Sequence, residues 1–167
     1  MIRARKLANV HKKRSLQPLL AQTQASPWPV FIDTASVGTT VIYPGMVATK
    51  SAGETVKIAN TTANQVPFGL FANFVNGDFD ELGDSTEASV WRGGPDSQFA
   101  VTSDALDAGV SWTTLDSTAG GVLLYSNASG LLTNTNAGSQ IPVARLISAP
   151  SNSKIIVALL TESAMAY

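Results

Sequence analysis

The stretch VIYPGMVATKSAGETVKIA, residues 41–59, contains two turn signals that separate short runs of strand-forming residues. Pro44-Gly45 is a turn pair that ends one apolar run, and Met46-Val47-Ala48 begins the next. Ser51-Ala52-Gly53-Glu54 marks a second turn, and Thr55-Val56-Lys57-Ile58-Ala59 then alternates polar and apolar side chains. This pattern predicts short paired strands over residues 41–59.

The same kind of signal continues through the rest of the chain. Further apolar runs recur about every ten to fifteen residues, at 67–75, 89–92, 98–101, 121–125, 141–147 and 154–160. We interpret Gly93–Asp96 as a hairpin loop and Asn127–Gly130 as another turn. A short helix is predicted at Ser103–Ala108, with Ser103 as its cap. Strands without long helical periodicity between them favour an all-β fold, either a small barrel or a sandwich.

Charge divides the chain into two parts. Six of the eleven basic residues fall within the first fourteen positions, and no acidic residue precedes Asp33. These six arm cations are Arg3, Arg5, Lys6, Lys12, Lys13 and Arg14. From Asp33 onward, five basic residues accompany all twelve acidic ones, a net charge of about −7. We therefore predict a basic N-terminal arm over residues 1–29 and a β-rich domain over residues 30–167.

The arm ends at an aromatic residue set between two prolines, Pro27-Trp28-Pro29. Prolines stiffen this segment and stop any helix before it, so the rest of the arm is expected to be a basic tail. Trp28 is predicted to be an extended anchor whose indole packs on the body or on a neighbouring molecule.

The sequence offers little that could carry catalysis. The chain has no cysteine, which excludes disulfides, thiolate metal sites and cysteine nucleophiles. Its single histidine, His11, lies among cations in the arm, where no rigid packing would hold it beside a nucleophile. Arg92-Gly93-Gly94-Pro95 lacks the Lys-Ser/Thr of a phosphate-binding loop. We expect no enzymatic activity, no metal and no cofactor.

One segment concentrates carboxylates. This acidic segment, residues 78–87, contains Asp78, Asp80, Glu81, Asp84 and Glu87. It fits the calcium-loop template poorly, because Leu82 and Ser89 occupy positions at which the template needs ligands. A solvated loop and a docking surface for a basic partner, such as another subunit's arm, both remain open.

Partners and location follow from the same charges. The arm could neutralise phosphates, but the acidic body would repel a polyanion and no aromatic residues interleave with the arm cations, so nucleic-acid binding is not expected. The longest apolar run, Ile155–Leu160, is far too short to span a membrane, and the N-terminus lacks the apolar core of a signal peptide. We expect a protein made in the cytoplasm and not exported, with no membrane partner.

Several motifs in the body resemble those of tailed-bacteriophage head decoration proteins, also called capsid cement proteins. The similar segments, in shared order over about residues 40–160, are Tyr43–Val47, Glu54–Ala59, Pro67–Phe71, Val90–Pro95, Pro142–Leu146 and Val157–Leu160. The resemblance implies a small β-tulip-like body that forms a homotrimer on the outside of a phage head. It also implies that the major capsid protein is the partner.

The hypothesis is thus a virion structural protein that stabilises the shell by clamping neighbouring capsid subunits. The arm cations and Trp28 would contact the capsid, and the acidic segment could dock a second subunit. Two alternatives remain: another virion component, such as a tail-tube, head-fibre or baseplate protein, or a nucleic-acid-binding accessory protein that acts through the basic arm.

Overall fold

Alternating and apolar runs give rise to strands along almost the whole of the structure. The computed structural model describes residues 16–20, 27–38, 40–53, 55–75, 87–93, 97–115 and 121–160. Its strands are β1 (Leu16–Leu20), β2 (Trp28–Ile32), β3 (Val47–Lys50), β4 (Thr55–Ile58), β5 (Pro67–Phe71), β6 (Glu87–Trp91), β7 (Gln98–Thr102), β8 (Leu123–Ser126), β9 (Leu132–Thr133), β10 (Ala144–Ser151) and β11 (Lys154–Leu159). Two four-residue helices, α1 (Thr34–Val37) and α2 (Trp112–Leu115), connect them.

Five of these strands form a closed barrel in the order β2-β4-β3-β5-β6. The β3–β4 and β3–β5 pairs are antiparallel. A short connection joins β3 to β4, whereas β5 returns to the other side of β3. Closure comes from β2, which pairs parallel to β4 at Phe31↔Thr55 and antiparallel to β6 at Trp28↔Val90. Because β2 pairs with both β4 and β6, the two ends of the series β4-β3-β5-β6, the barrel has no open strand edge.

The remaining six strands form an antiparallel sheet in the order β1-β7-β11-β10-β8-β9. Its centre is the β10–β11 hairpin, which turns at Asn152–Ser153. Strand β11 also pairs with β7 through five successive residue pairs, from Lys154↔Thr102 to Ala158↔Gln98. Strand β1 forms one edge of this sheet through its pairing with β7.

A single apolar core runs through both units. Barrel strands contribute Val47, Val56, Leu70, Phe71 and Val90, and sheet strands contribute Phe99, Val101, Leu124, Ile155 and Val157. The rings of Trp91 and Phe99, one from each unit, lie 5.4 Å apart. Each fully buried side chain of this size stabilises the fold by about 1.5–3 kcal/mol. Shared burial therefore makes barrel and sheet one folded body.

Polar contacts also join the two units. The backbone N–H of Val47 in β3 donates to the carbonyl of Gly130, in the turn before β9, at 2.8 Å. The side-chain amide of Gln140 donates to the carbonyls of Asn60 at 2.9 Å and Ser126 at 2.8 Å. These bonds fix the β8–β9 hairpin against the barrel.

The structure confirms the all-β prediction and several of its details. Pro44-Gly45 forms the predicted turn, and β3 and β4 occupy the two predicted runs. Asn127 stabilises its predicted turn because its side-chain oxygen accepts hydrogen bonds from the backbone N–H groups of Ser129 and Leu131.

Two local predictions are wrong. Gly93–Asp96 is not a hairpin loop, since β6 belongs to the barrel and β7 to the sheet, so this segment links the two units. The helix expected at Ser103–Ala108 is only a 3₁₀ turn at Ser103–Ala105. Its cap position is Thr102, which makes no side-chain capping bond, so a longer helix is not supported there.

The predicted division at residue 29 falls inside β2. Two parts of the predicted arm are strand residues: Leu16–Leu20 pairs with β7, and Trp28 and Pro29 pair with β6. The division of the chain into an arm over 1–29 and a domain over 30–167 stays a prediction.

Candidate functional site

The predicted contact residues are distributed unevenly over the structure. The arm cations, Arg3, Arg5, Lys6, Lys12, Lys13 and Arg14, and four members of the acidic segment, Asp78, Asp80, Glu81 and Asp84, lie outside the described residues. Glu87 is the exposed first residue of β6, opposite Phe31 of β2. Trp28 is the first residue of β2 and is 52% exposed.

Trp28 belongs to a row of alternating aromatic and cationic side chains. The guanidinium carbon of Arg92 lies 5.0 Å from the centre of the Trp28 ring and 4.4 Å from the centre of the Phe68 ring. The ammonium of Lys50 lies 5.6 Å from the same Phe68 ring. We refer to Trp28, Arg92, Phe68 and Lys50 as the cation–aromatic row.

Barrel closure assembles this row. Its members come from β2, from the residue that follows β6, from β5 and from the end of β3, which are consecutive around the barrel. The pairing of Trp28 with Val90 places the indole near Arg92, two residues further along. Each cation–π contact at an exposed site is worth about 0.5–1 kcal/mol. The row therefore holds two long cationic side chains in defined positions, at little further entropic cost on binding.

Exposed apolar groups lie on the same strands. Phe31 of β2 is 54% exposed, and Val66, which directly precedes β5, is also exposed. Tryptophan and arginine are the residues most often found at the energetic centres of protein interfaces. The chemistry of the row thus suits binding of another protein surface through rings and cations together.

The structure also bears on small-molecule and metal binding. A cleft between barrel and sheet, lined in part by Gln65 and Gln140, has a volume of about 10 Å³, which is about the space of one water molecule. Within the described ranges, no three His, Asp or Glu side chains are grouped closely enough to hold a metal ion. The helices in those ranges are all too short to cross a membrane.

Comparison with protein families gives one decisive match, to the model described as phage cement protein, over residues 1–166. The chain belongs to the phage cement protein family. The match confirms the resemblance drawn from the body motifs and makes this cement protein a capsid-associated structural protein of a phage. It extends beyond those motifs to include the N-terminal residues. The comparison with curated proteins found no match.

Sequence reasoning identified Trp28 in this cement protein but missed the other three members of the row. Lys50, Phe68 and Arg92 are far apart in the sequence, and each sits in an ordinary strand or turn context. The available signal was the position of Arg92 directly after the apolar run Val90-Trp91. Only the register of β2 against β6 shows that Arg92 meets Trp28.

Proposed function

We propose that this cement protein binds the outside of the phage head as a homotrimer and stabilises the shell by clamping neighbouring subunits of the major capsid protein. The observation that carries the proposal is the family match over residues 1–166. It is supported by a closed barrel whose exposed side chains include Trp28 and Phe31, which offer apolar contact area on a body with few charges.

In this proposal the arm cations attract the protein to the capsid surface, and the β-rich body determines where it binds. Six positive charges within fourteen residues speed the encounter with an acidic capsid face, and their contribution weakens as salt screens them. A tail that becomes ordered only on docking covers a wide area, and the ordering entropy is spent at that step. A trimer with three arms gains further through multivalency.

Trp28 anchors the base of the arm. Its backbone pairs with Val90 of β6, and its ring lies against Arg92, so the chain that enters β2 starts from a fixed point on the barrel. The arm cations themselves precede β1, whose residues Leu16–Leu20 pair with β7, so they start from a second fixed point on the sheet. A tail tied there reaches a limited area of the shell, which raises its effective concentration at that area.

Binding to heads that lack this protein tests the arm mechanism. We would compare the variant Lys12→Gln/Lys13→Gln/Arg14→Gln with a control that removes three positive charges from the body, Lys57→Gln/Arg145→Gln/Lys154→Gln. The arm variant should lose about tenfold or more in affinity at low salt, and the control should change little. Co-sedimentation at two salt concentrations gives the occupancy. Equal occupancy for both variants would rule out the arm mechanism.

Clamping has its own measurement. Heads saturated with the protein should release their contents at a higher temperature than bare heads, because a ligand that binds only the intact shell stabilises it. Light scattering and dye access during heating report the transition. Binding without any rise in that temperature would mean that the protein decorates the shell without clamping it.

A further inference from the structure

The cation–aromatic row has the dimensions of a short peptide-binding surface. Its successive separations are 5.0, 4.4 and 5.6 Å, from the Trp28 ring through Arg92 and Phe68 to Lys50. Four or five residues of extended chain, at about 3.3 Å each, cover such a length. A fitting partner would present carboxylates to the two cations and apolar side chains to the two rings.

The chain itself contains a segment with this chemistry. Residues 78–82 read Asp-Phe-Asp-Glu-Leu, with three carboxylates interspersed with one aromatic and one aliphatic side chain. These residues belong to the acidic segment, the densest group of carboxylates in the sequence. Every copy of the protein therefore carries both a cation–aromatic row and a segment of complementary chemistry.

The geometry of β6 favours a contact between two copies. The acidic segment joins β6 at Glu87, whereas Arg92 follows the last residue of the same strand. Five residues of strand separate Glu87 from Arg92, roughly 16 Å at about 3.3 Å per residue. One copy thus presents its row at one end of β6 and the attachment point of its acidic segment at the other.

A contact between two different surfaces, at opposite ends of one strand, would be head-to-tail. Such a contact repeats from copy to copy and closes into a ring when the rotation between copies allows it. A two-fold dimer, by contrast, would bring identical surfaces together. A cyclic trimer is one assembly that head-to-tail contacts can build.

We propose that the cation–aromatic row of one copy binds the acidic segment of a second copy, residues 78–82, and that this contact builds the ring. This contact would be the interface of the homotrimer named in the proposed function, and the inference rests on that proposed function. It also assigns the acidic segment to the row of a neighbour and not to a neighbour's basic arm.

Charge reversal of each surface, alone and together, tests the proposal. The row variant is Lys50→Glu/Arg92→Glu, and the segment variant is Asp78→Lys/Asp80→Lys. Each should lower the association constant at least about tenfold, because like charges then face each other. The combined four-site variant should regain association, since both surfaces are reversed together. Light scattering after gel filtration of the full-length protein, over a range of concentrations, gives the mass.

The control variant Arg145→Glu/Lys154→Glu reverses two positive charges on the sheet and should keep the parental mass. Thermal unfolding by circular dichroism confirms that each variant is folded. Unchanged mass in both single-surface variants, or no recovery in the combined variant, would overturn the proposal. A protein lacking residues 1–14 should still associate, and loss of association there would assign the acidic segment to the arm. The self-association experiment contains no capsid. If it contradicts the contact proposed here, the head-binding test of the proposed function is unaffected.

Discussion

Gly69 of β5 packs directly against the backbone of Trp91 on β6, so that a Cβ atom at position 69 would overlap the carbonyl oxygen of Trp91. The same atom would lie 2.8 Å from a methyl carbon of Val90. The φ angle of Gly69 is +152°, a conformation that other residues rarely adopt. Glycine is therefore required here for two reasons, one steric and one conformational, and two variants can separate them.

We expect Gly69→Ala to destabilise the protein by at least about 3 kcal/mol, since backbone strain and overlap with a neighbouring backbone add together. Gly138 is the matched control, because its φ is also positive, at +125°, while no atom lies within 4 Å of its added Cβ. Gly138→Ala should cost about 1–2 kcal/mol. Urea unfolding gives both values, and equal losses would show that the contact with Trp91 is unimportant.

Gln140 should prove a polar support between barrel and sheet. It is only 7% exposed and donates to the carbonyls of Asn60 and Ser126. Gln140→Ala should cost about 2–4 kcal/mol, because two carbonyls lose their donor and a cavity forms. Gln140→Met restores most of the volume without the donor. Unfolding measurements should show that Gln140→Met recovers only the part of the loss that comes from the cavity, whereas full recovery by methionine would mean that Gln140 acts through packing alone.

Asp33 should make stability depend on pH. Hydrogen bonds from the Ser51 hydroxyl, then from the Ser36 hydroxyl and backbone N–H, lower the pKa of the Asp33 carboxyl below its ordinary value of 3.8, and the charge of Lys57 adds to this effect. A pKa that is lower in the folded state gives stability that is full above the unfolded-state pKa and is lost as pH falls through the folded-state pKa.

Asp33→Asn should therefore be less stable than the parent protein at pH 7. The difference should shrink steadily below about pH 4, where the unfolded carboxyl becomes protonated. Urea unfolding of both proteins from pH 7 to pH 2.5 measures this directly. A difference that stays constant over that range would show that the negative charge of Asp33 adds nothing to its stabilisation of the start of α1.

The buried indole N–H of Trp112 should contribute little to stability. Its side chain is fully buried, and the indole N–H has no hydrogen-bond acceptor among the described residues. Trp112→Phe removes this donor and keeps most of the apolar surface, so the change in stability should stay within about 1 kcal/mol. Trp112→Ala should cost about 3–5 kcal/mol. Equal losses in the two variants would indicate that the N–H is hydrogen-bonded after all.

Local sequence signals gave the strands and turns because local chemistry determines them. The alternation in Thr55–Ile58 produced β4, and Pro44-Gly45 produced a turn, as their conformational preferences require. The two four-residue helices have too few turns to show a helical period.

Assignment of strands to the barrel or the sheet could not be read in the same way. The composition of Gly93–Asp96 is typical of a hairpin loop. The same composition is found when the flanking strands belong to different sheets, so it does not show which strands pair. The choice depends on the pairing of β6 with β2 and β5, across long stretches of sequence. The cation–aromatic row depends on the same pairings, which is why Trp28 was identified and Arg92 was not.

The described part of the sheet ends in two strands that are poor templates for further strand addition. Strand β9 has two residues, and the middle residue of β1, Pro18, lacks an N–H group. The barrel, being closed, offers no edge at all. Copies that lie side by side can therefore touch one another without adding strand to strand, so close contact between copies is compatible with an ordered array.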